Sequence, residues 1–217
     1  MIIEKYGLRL ERLREKDIEL VRQKRNDREI ARRMFYQKPI SVEEQKQWFH
    51  TINTITDYYF LMHYKNEKVG LIHGNILSFE NRIARGGLFI WDKKYQHSHL
   101  PVIASVCLTD ITFLIMGMQK TLAEVRSDNK NALRYNLKLG YVIKEEQKDG
   151  HKLKLELTRK DYFEKAAPIR KMVKRISRDE SDISWDDLNL APQLYAAHLY
   201  TGLPDYIQHK VDDKLNH

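Results

Sequence analysis

Apolar positions along the chain keep two different spacings, and the switches between them mark out the elements. Leu8, Leu10 and Leu13 roughly alternate with charged residues, which predicts a first strand, and Asp17 then stands where a helix cap is wanted, so that 18–25 reads as a helix. A second short helical stretch, about 28–35, stops ahead of Pro39. Ser41 followed three residues later by Glu44 spells a capping box, in which hydroxyl and carboxylate each satisfy a backbone N–H near the helix start, and it predicts a helix from Val42 to about Ile52. The aromatic and apolar run Tyr58 to Tyr64, the polar turn Lys65-Asn66-Glu67 and the β-rich run Val69 to Phe79 predict a hairpin. Arg82 to Trp91 follows as the next strand, and its Gly86-Gly87 pair marks a bulge or a point where something approaches the backbone closely.

From Pro101 to Met116 the chain is almost continuously apolar and too long for an ordinary strand, so it reads as a buried helix. Thr121 to Arg126 reads as a strand, and Asn129 to Leu139 as a helix closed by Gly140 in a left-handed cap. Tyr141 to Gln147 and Lys152 to Leu157 pair about an Asp149-Gly150 turn. Strands and helices in this order predict an α/β (α+β) domain, a mixed sheet flanked by helices. After Arg159 come a basic helical stretch to about Ile176, an acidic stretch from Asp179 to Asp187 and an apolar helical piece from Leu190 to Tyr200. Gly202 and Pro204 then precede a last piece, Tyr206 to Leu215. This tail reads as an added helical element, whose apolar helix packs back on its own domain or caps either a partner subunit, as in a homodimer, or the acceptor cleft.

Hydrophobic residues at 42% and charged residues at 31% belong to a globular chain, and a net charge of +8 favours anionic partners. The basic runs Arg22, Lys24, Arg25, Arg28, Arg32, Arg33 and Lys165, Arg170, Lys171, Lys174, Arg175, Arg178 are not interleaved with aromatics, so they read as solvated helix faces and not as a nucleic-acid surface. A single cysteine, Cys107, inside an apolar run leaves no disulfide and no cysteine metal site, which suits a reducing cytoplasm. No stretch reaches the roughly 18 apolar residues of a membrane span. The nine histidines form no HxxxH or HExxH pair, so no metal is expected, and neither a Walker loop, a nucleophile elbow nor a GxGxxG is present.

The segment from Asn129 through Ala132, Asn136, Lys138 and Gly140 to Tyr141 closely resembles the second cofactor motif of the GNAT acetyltransferases, and the order of elements resembles theirs over about residues 8 to 158. The resemblance implies a mainly antiparallel central sheet in a domain of residues 1–159 with a helical extension over 160–217, and acetyl-coenzyme A as cosubstrate. It places the backbone of Leu88, Phe89 and Ile90 along the thioester, with Asn129, Ala132 and Asn136 also on the coenzyme. The pyrophosphate would lie against Gln96, His97, Ser98 and His99. There Gln96 fits the family's loop, while His99 and Pro101 replace its small residues; a side chain where positive φ is wanted costs on the order of 1 kcal/mol, and proline removes an amide. Upstream, Arg25-Asn26, Met34, Ile40 to Glu44 and Trp48-Phe49 resemble the opening of a subgroup that acetylates nucleotide-linked amino sugars, and the same region resembles acetyltransferases of ribosomal-protein N-termini.

Acetylation of a small-molecule amine needs a base, an oxyanion donor and a proton for the leaving thiolate. His73, on the central hairpin, is the first candidate for the base, with Glu124 on the following strand and Tyr95 behind it. Many family members carry a tyrosine as general acid where this chain has Asn136, a catalytic candidate that donates no proton in acid catalysis but can hydrogen-bond the sulfur or the carbonyl; Tyr135, one residue earlier, would point about 100° away. Two further readings stand beside the N-acetyltransferase: a GNAT-shaped binding or scaffold protein without turnover, and an acyltransferase for longer chains.

Overall fold

The computed structural model describes residues 1–146, 151–190 and 202–216. The chain opens with a strand that the alternation of Leu8 and Leu10 does not reveal: β1 (Ile2–Lys5) turns through Tyr6 and Gly7, both at positive φ, into β2 (Leu8–Arg12). Helix α1 (Ile18–Asn26) follows, but Asp17 does not cap it; a 3₁₀ turn leads in, and the carboxylate takes the Lys68 ammonium at 2.9 Å instead. Asp27 caps the short α2 (Arg28–Ala31). The Ser41–Glu44 capping box is formed and opens α3 (Val42–Ile52). The predicted hairpin is β3 (Asp57–Tyr64) and β4 (Glu67–Ser78), with Lys65 and Asn66 at positive φ in the turn, and β5 (Ile83–Ile90) comes next. Beyond it lie α4 (Lys93–Gln96) and α5 (Leu100–Asp110), which runs on through one π-helical turn to Ile115. β6 (Lys120–Arg126), α6 (Lys130–Lys138), β7 (Val142–Glu146) and β8 (Lys152–Thr158) complete the expected order, with Gly140 at φ +100° closing α6. The expected Asp149-Gly150 turn lies outside the described residues.

The described strands join one sheet in the order β7-β8-β6-β5-β4-β3-β2-β1-β9, the last being Leu188–Asn189. Its side chains divide by parity. Phe60, Met62, Ile72 and Ile76 face α5 and meet Val106, Phe113, Leu155 and Leu157 in the main core, whereas Leu61 and Leu71 face α1 and α3 and meet Val21, Phe49 and Trp91. The sheet is antiparallel except where β5 meets β6: that parallel contact covers three register pairs, Ile83 to Lys120 through Arg85 to Leu122, and then ends. β6 continues to Arg126 against β8, and β5 continues to Ile90 against β4, so the sheet opens between them.

The core does not stop at residue 159. Helices α7 (Arg159–Lys165) and α8 (Ala167–Ser177) send Tyr162, Ala166 and Val173 into the same cluster as α5. There Asp110, fully buried, accepts from the Tyr6 hydroxyl at 2.7 Å, the Tyr162 hydroxyl at 3.0 Å and Arg170 Nε at 3.1 Å. Buried Lys5 reaches Asp179, Ser181 and Asp187, and β9 (Leu188–Asn189) pairs with β1. The last helix, α9 (Asp205–Leu215), lays Ile207 and Val211 against Leu190. The apolar helix expected over Leu190 to Tyr200 falls, beyond Leu190, outside the described residues. No helix among the described residues is long and apolar enough to cross a membrane.

Candidate functional site

The opening of the sheet has donors along one edge. The Trp91 N–H donates to the Val69 carbonyl at 3.0 Å, and the register runs unshifted from Gly70–Ile90 to Ile76–Ala84. Residues 85, 87, 89 and 91 therefore pair with β4, and the amides of Leu88 and Ile90 point the other way, into the opening; the Phe89 amide is turned to β4.

On the α1 and α3 face, beside this edge, lies His73. Its ring sits over Gly87, the residue opposite it on β5, where a Cβ would come within 2.8 Å of Nε2. The glycine pair is thus a close approach and not a bulge, because the imidazole takes the space a side chain would fill. Tyr59 stacks on His73 with ring centres 4.8 Å apart and planes 10° from parallel, and Trp48 meets Tyr59 edge-on at 5.3 Å. Burial, aided by the charges of Arg85 and Arg25, pushes the His73 pKa down to about 4 against the raising effects of Asn75 and Asp57. The imidazole is neutral at pH 7. Its Nδ1 is buried and makes no hydrogen bond, since the neighbouring Asn75 amide donates to Asp57.

Glu124 shares this face but is engaged: Lys152 holds it at 3.0 Å and Arg85 lies 3.7 Å away. Tyr95 is turned elsewhere, donating to Glu67 at 3.1 Å. Asn136 bonds the Ala132 carbonyl of its own helix at 2.8 Å, while Tyr135 reaches across to the Pro101 carbonyl at 3.0 Å, tying α6 to the first turn of α5. Tyr141 is buried in the core.

The loop before α5 holds itself together with the groups a pyrophosphate would need. Ser98 N donates to the Tyr95 carbonyl, Leu100 N to the Ser98 hydroxyl, and Val102 and Ile103 N to the His99 carbonyl, while Pro101 has no amide to offer. Gln96 braces the loop, donating to the Ile90 carbonyl and accepting from Arg33. His99 sits at φ −74°, an ordinary helical value, so the expected cost of a side chain at positive φ does not arise. The rings of His97 and His99 are exposed at this surface, the latter 3.2 Å from the Tyr64 hydroxyl. The opening thus presents the Leu88 and Ile90 amides along one edge, and the loop before α5 presents two exposed imidazoles where most of its amides are bonded within the loop. Asn129 caps α6 beside it, its Oδ1 accepting from Ala132 N at 3.1 Å. Asn129→Ala is expected to lower stability by about 1 kcal/mol and to weaken coenzyme A binding, both readable by thermal melting with and without coenzyme A; no change in either would detach this helix from the site.

Sequence reading passed over Arg85 and Tyr59. Trp48 entered it as part of a resemblance, without a role, and Arg25 also as part of a solvated helix face, whereas it is partly buried.

Residues 7–142 match the family model described as the acetyltransferase (GNAT) domain. Similar solved structures include a spermidine N-acetyltransferase from Vibrio cholerae in complex with CoA and spermine, at 16% identity and a TM-score of 0.64, covering 73% of this chain and 99% of that one. An aminoglycoside acetyltransferase in complex with coenzyme A has 13% identity and a TM-score of 0.62 over 74% and 99% of the two chains. A domain from Methanocaldococcus jannaschii has 18% identity and a TM-score of 0.60 over 70% and 97%. No curated protein matches.

Proposed function

The chain belongs to the GNAT acetyltransferases, enzymes whose donor is acetyl-coenzyme A, and on that premise we propose that it transfers acetyl to the amine of a small molecule seated over His73. The observation that carries this reading is the neutral imidazole lodged over Gly87, one strand from the opening, with a buried Nδ1 that has no hydrogen-bond partner. Acetyl-coenzyme A supplies the acetyl group as a thioester. The Leu88 and Ile90 amides are aimed where negative charge grows on the carbonyl oxygen. His73 accepts a hydrogen bond from the uncharged amine and takes its proton as the new bond raises the acidity of the nitrogen.

A nucleotide-linked amino sugar is the finer reading. Trp48 and Tyr59 support it, offering aromatic surface beside the base. That two of the three named neighbours are a spermidine N-acetyltransferase and an aminoglycoside acetyltransferase supports an amine acceptor. A cytoplasmic setting suits the buried, unpaired Cys107. The scaffold reading keeps one observation in its favour, the self-bonded loop before α5.

The test is thiol release from acetyl-coenzyme A with a panel of small amines, with mass spectrometry of the product. Coenzyme A at 100 times its dissociation constant is expected to stabilise the fold by about 2.7 kcal/mol. Gly87→Ala, which displaces the imidazole, is expected to cut turnover about 100-fold while leaving that stabilisation in place. Stabilisation without acetylated product from any amine would leave a binding protein; no stabilisation at all would sink the donor site.

A further inference from the structure

Two arginines bracket His73 on the face where the acceptor is proposed to sit. Arg85 and Phe89 lie two residues to either side of Gly87 on β5, so their side chains leave the face over which the His73 ring lies. Arg25 comes down from α1, in helical phase with buried Ile18 and Val21, and sets its guanidinium 5.7 Å from the centre of the Phe89 ring. No carboxylate pairs with Arg25 among the described residues. Among the described residues Arg85 has Glu124 alone, at 3.7 Å, and that carboxylate is already taken by Lys152 at 3.0 Å. Asp57, the other acid near His73, is spent on Thr54, Thr56 and Asn75.

A half-buried cation without a counter-charge is costly, and a ligand that brings the charge removes the cost. We infer that the acceptor is an amine that also bears an anionic group, carboxylate or phosphate, which Arg25 and Arg85 grip while the nitrogen meets His73. The inference rests on the acetyl-transfer reading above and names its substrate class. Positions 85 and 89 are about 13 Å apart along the strand with His73 midway, so charge and amine lie a few bonds from each other. A polyamine would meet two guanidiniums here and be repelled.

The first test needs no turnover. Inorganic phosphate is titrated into the full chain while tryptophan fluorescence is followed, since Trp48 stands against Tyr59. Saturable binding is expected, weakened at least tenfold in Arg25→Gln and in Arg85→Gln, about 1.4 kcal/mol each, and unchanged in Lys171→Gln, an exposed control. Arg25→Lys, which keeps the charge, is expected to hold most of the affinity and guards against a folding effect. Binding that does not saturate, or equal affinity in all variants, overturns the inference. The second test compares kcat/KM for 4-aminobutyrate, O-phosphoethanolamine, butylamine and putrescine, the first two separating carboxylate from phosphate. An anionic amine is expected to exceed butylamine tenfold and putrescine further. Putrescine as the best acceptor would overturn the inference and leave amine acetylation standing. Phosphate binding as expected with no amine acetylated would sink the acetyl-transfer reading and leave the anion site.

Discussion

A chain ended after Lys160 is expected to lose its cooperative thermal transition. The cut removes Tyr162, Ala166 and Val173, none of them measurably exposed, from the core they share with α5. Emptying a single aromatic site costs about 3–5 kcal/mol. The cut also strips Asp110 of the Tyr162 hydroxyl and of Arg170, leaving the Tyr6 hydroxyl as its remaining side-chain partner. Breaking one side of a buried ion pair costs about 3–5 kcal/mol more. Together these losses consume most or all of the roughly 5–15 kcal/mol by which a domain of this size is stable. Arg170→Ala in the full chain separates the two contributions, since it keeps the aromatic packing, and should cost about 3–5 kcal/mol by chemical denaturation. Arg170→Ala with Asp110→Asn should recover part of that loss, because the uncompensated charge is gone. A truncated chain that melts cooperatively at the temperature of the full one would show that α7 and α8 are dispensable to the core.

The buried network had a trace in the sequence: Asp110 is the one charge in the apolar run from Pro101 to Met116, and a charge buried on a helix needs partners. The partners were beyond reach, because Tyr6 and Arg170 lie 104 and 60 residues away and meet Asp110 only once the sheet and α8 are assembled. Local chemistry was legible where the interaction is itself local. The Ser41–Glu44 box, the turn at Lys65 and Asn66 and the left-handed Gly140 each act within a few residues and appear where the pattern puts them. The first hairpin was hidden because its signal was a two-residue turn, Tyr6-Gly7, with Ile2 and Ile3 adjacent instead of alternating. The Gly86-Gly87 pair announced a bulge or a close approach without deciding between them, because the approaching group comes from the neighbouring strand. Arg25 was lost among the basic residues of α1. Its helical phase with Ile18 and Val21 turns it inward and is visible in the sequence once charge is set aside.

His73→Gln is expected to lower kcat about 100-fold or more, with the stability and coenzyme A binding of the protein retained at pH 7. Glutamine preserves a polar side chain against Gly87 and Tyr59 but takes no proton, so a residue that only shaped the site would lose little. The pH profile separates the two roles further. An imidazole whose pKa is held down to about 4 by burial stays a base through the weakly acid range, so the wild-type rate should show no limb near the ordinary histidine pKa of about 6.5. Stability carries the same signature with a definite sign. Between about pH 4 and 6.5 the unfolded chain binds a proton at this position that the folded chain refuses, so the contribution of neutral His73 is present above the unfolded pKa and is lost as pH falls through the folded one. The melting temperature of the wild type should therefore drop between pH 7 and pH 4.5 by more than that of His73→Gln. A rate limb near 6.5 in the wild type would mean that the ring is solvated and protonated as usual. An unchanged kcat/KM in the glutamine variant would remove His73 from the chemistry and pass the base to a water molecule held elsewhere on this face.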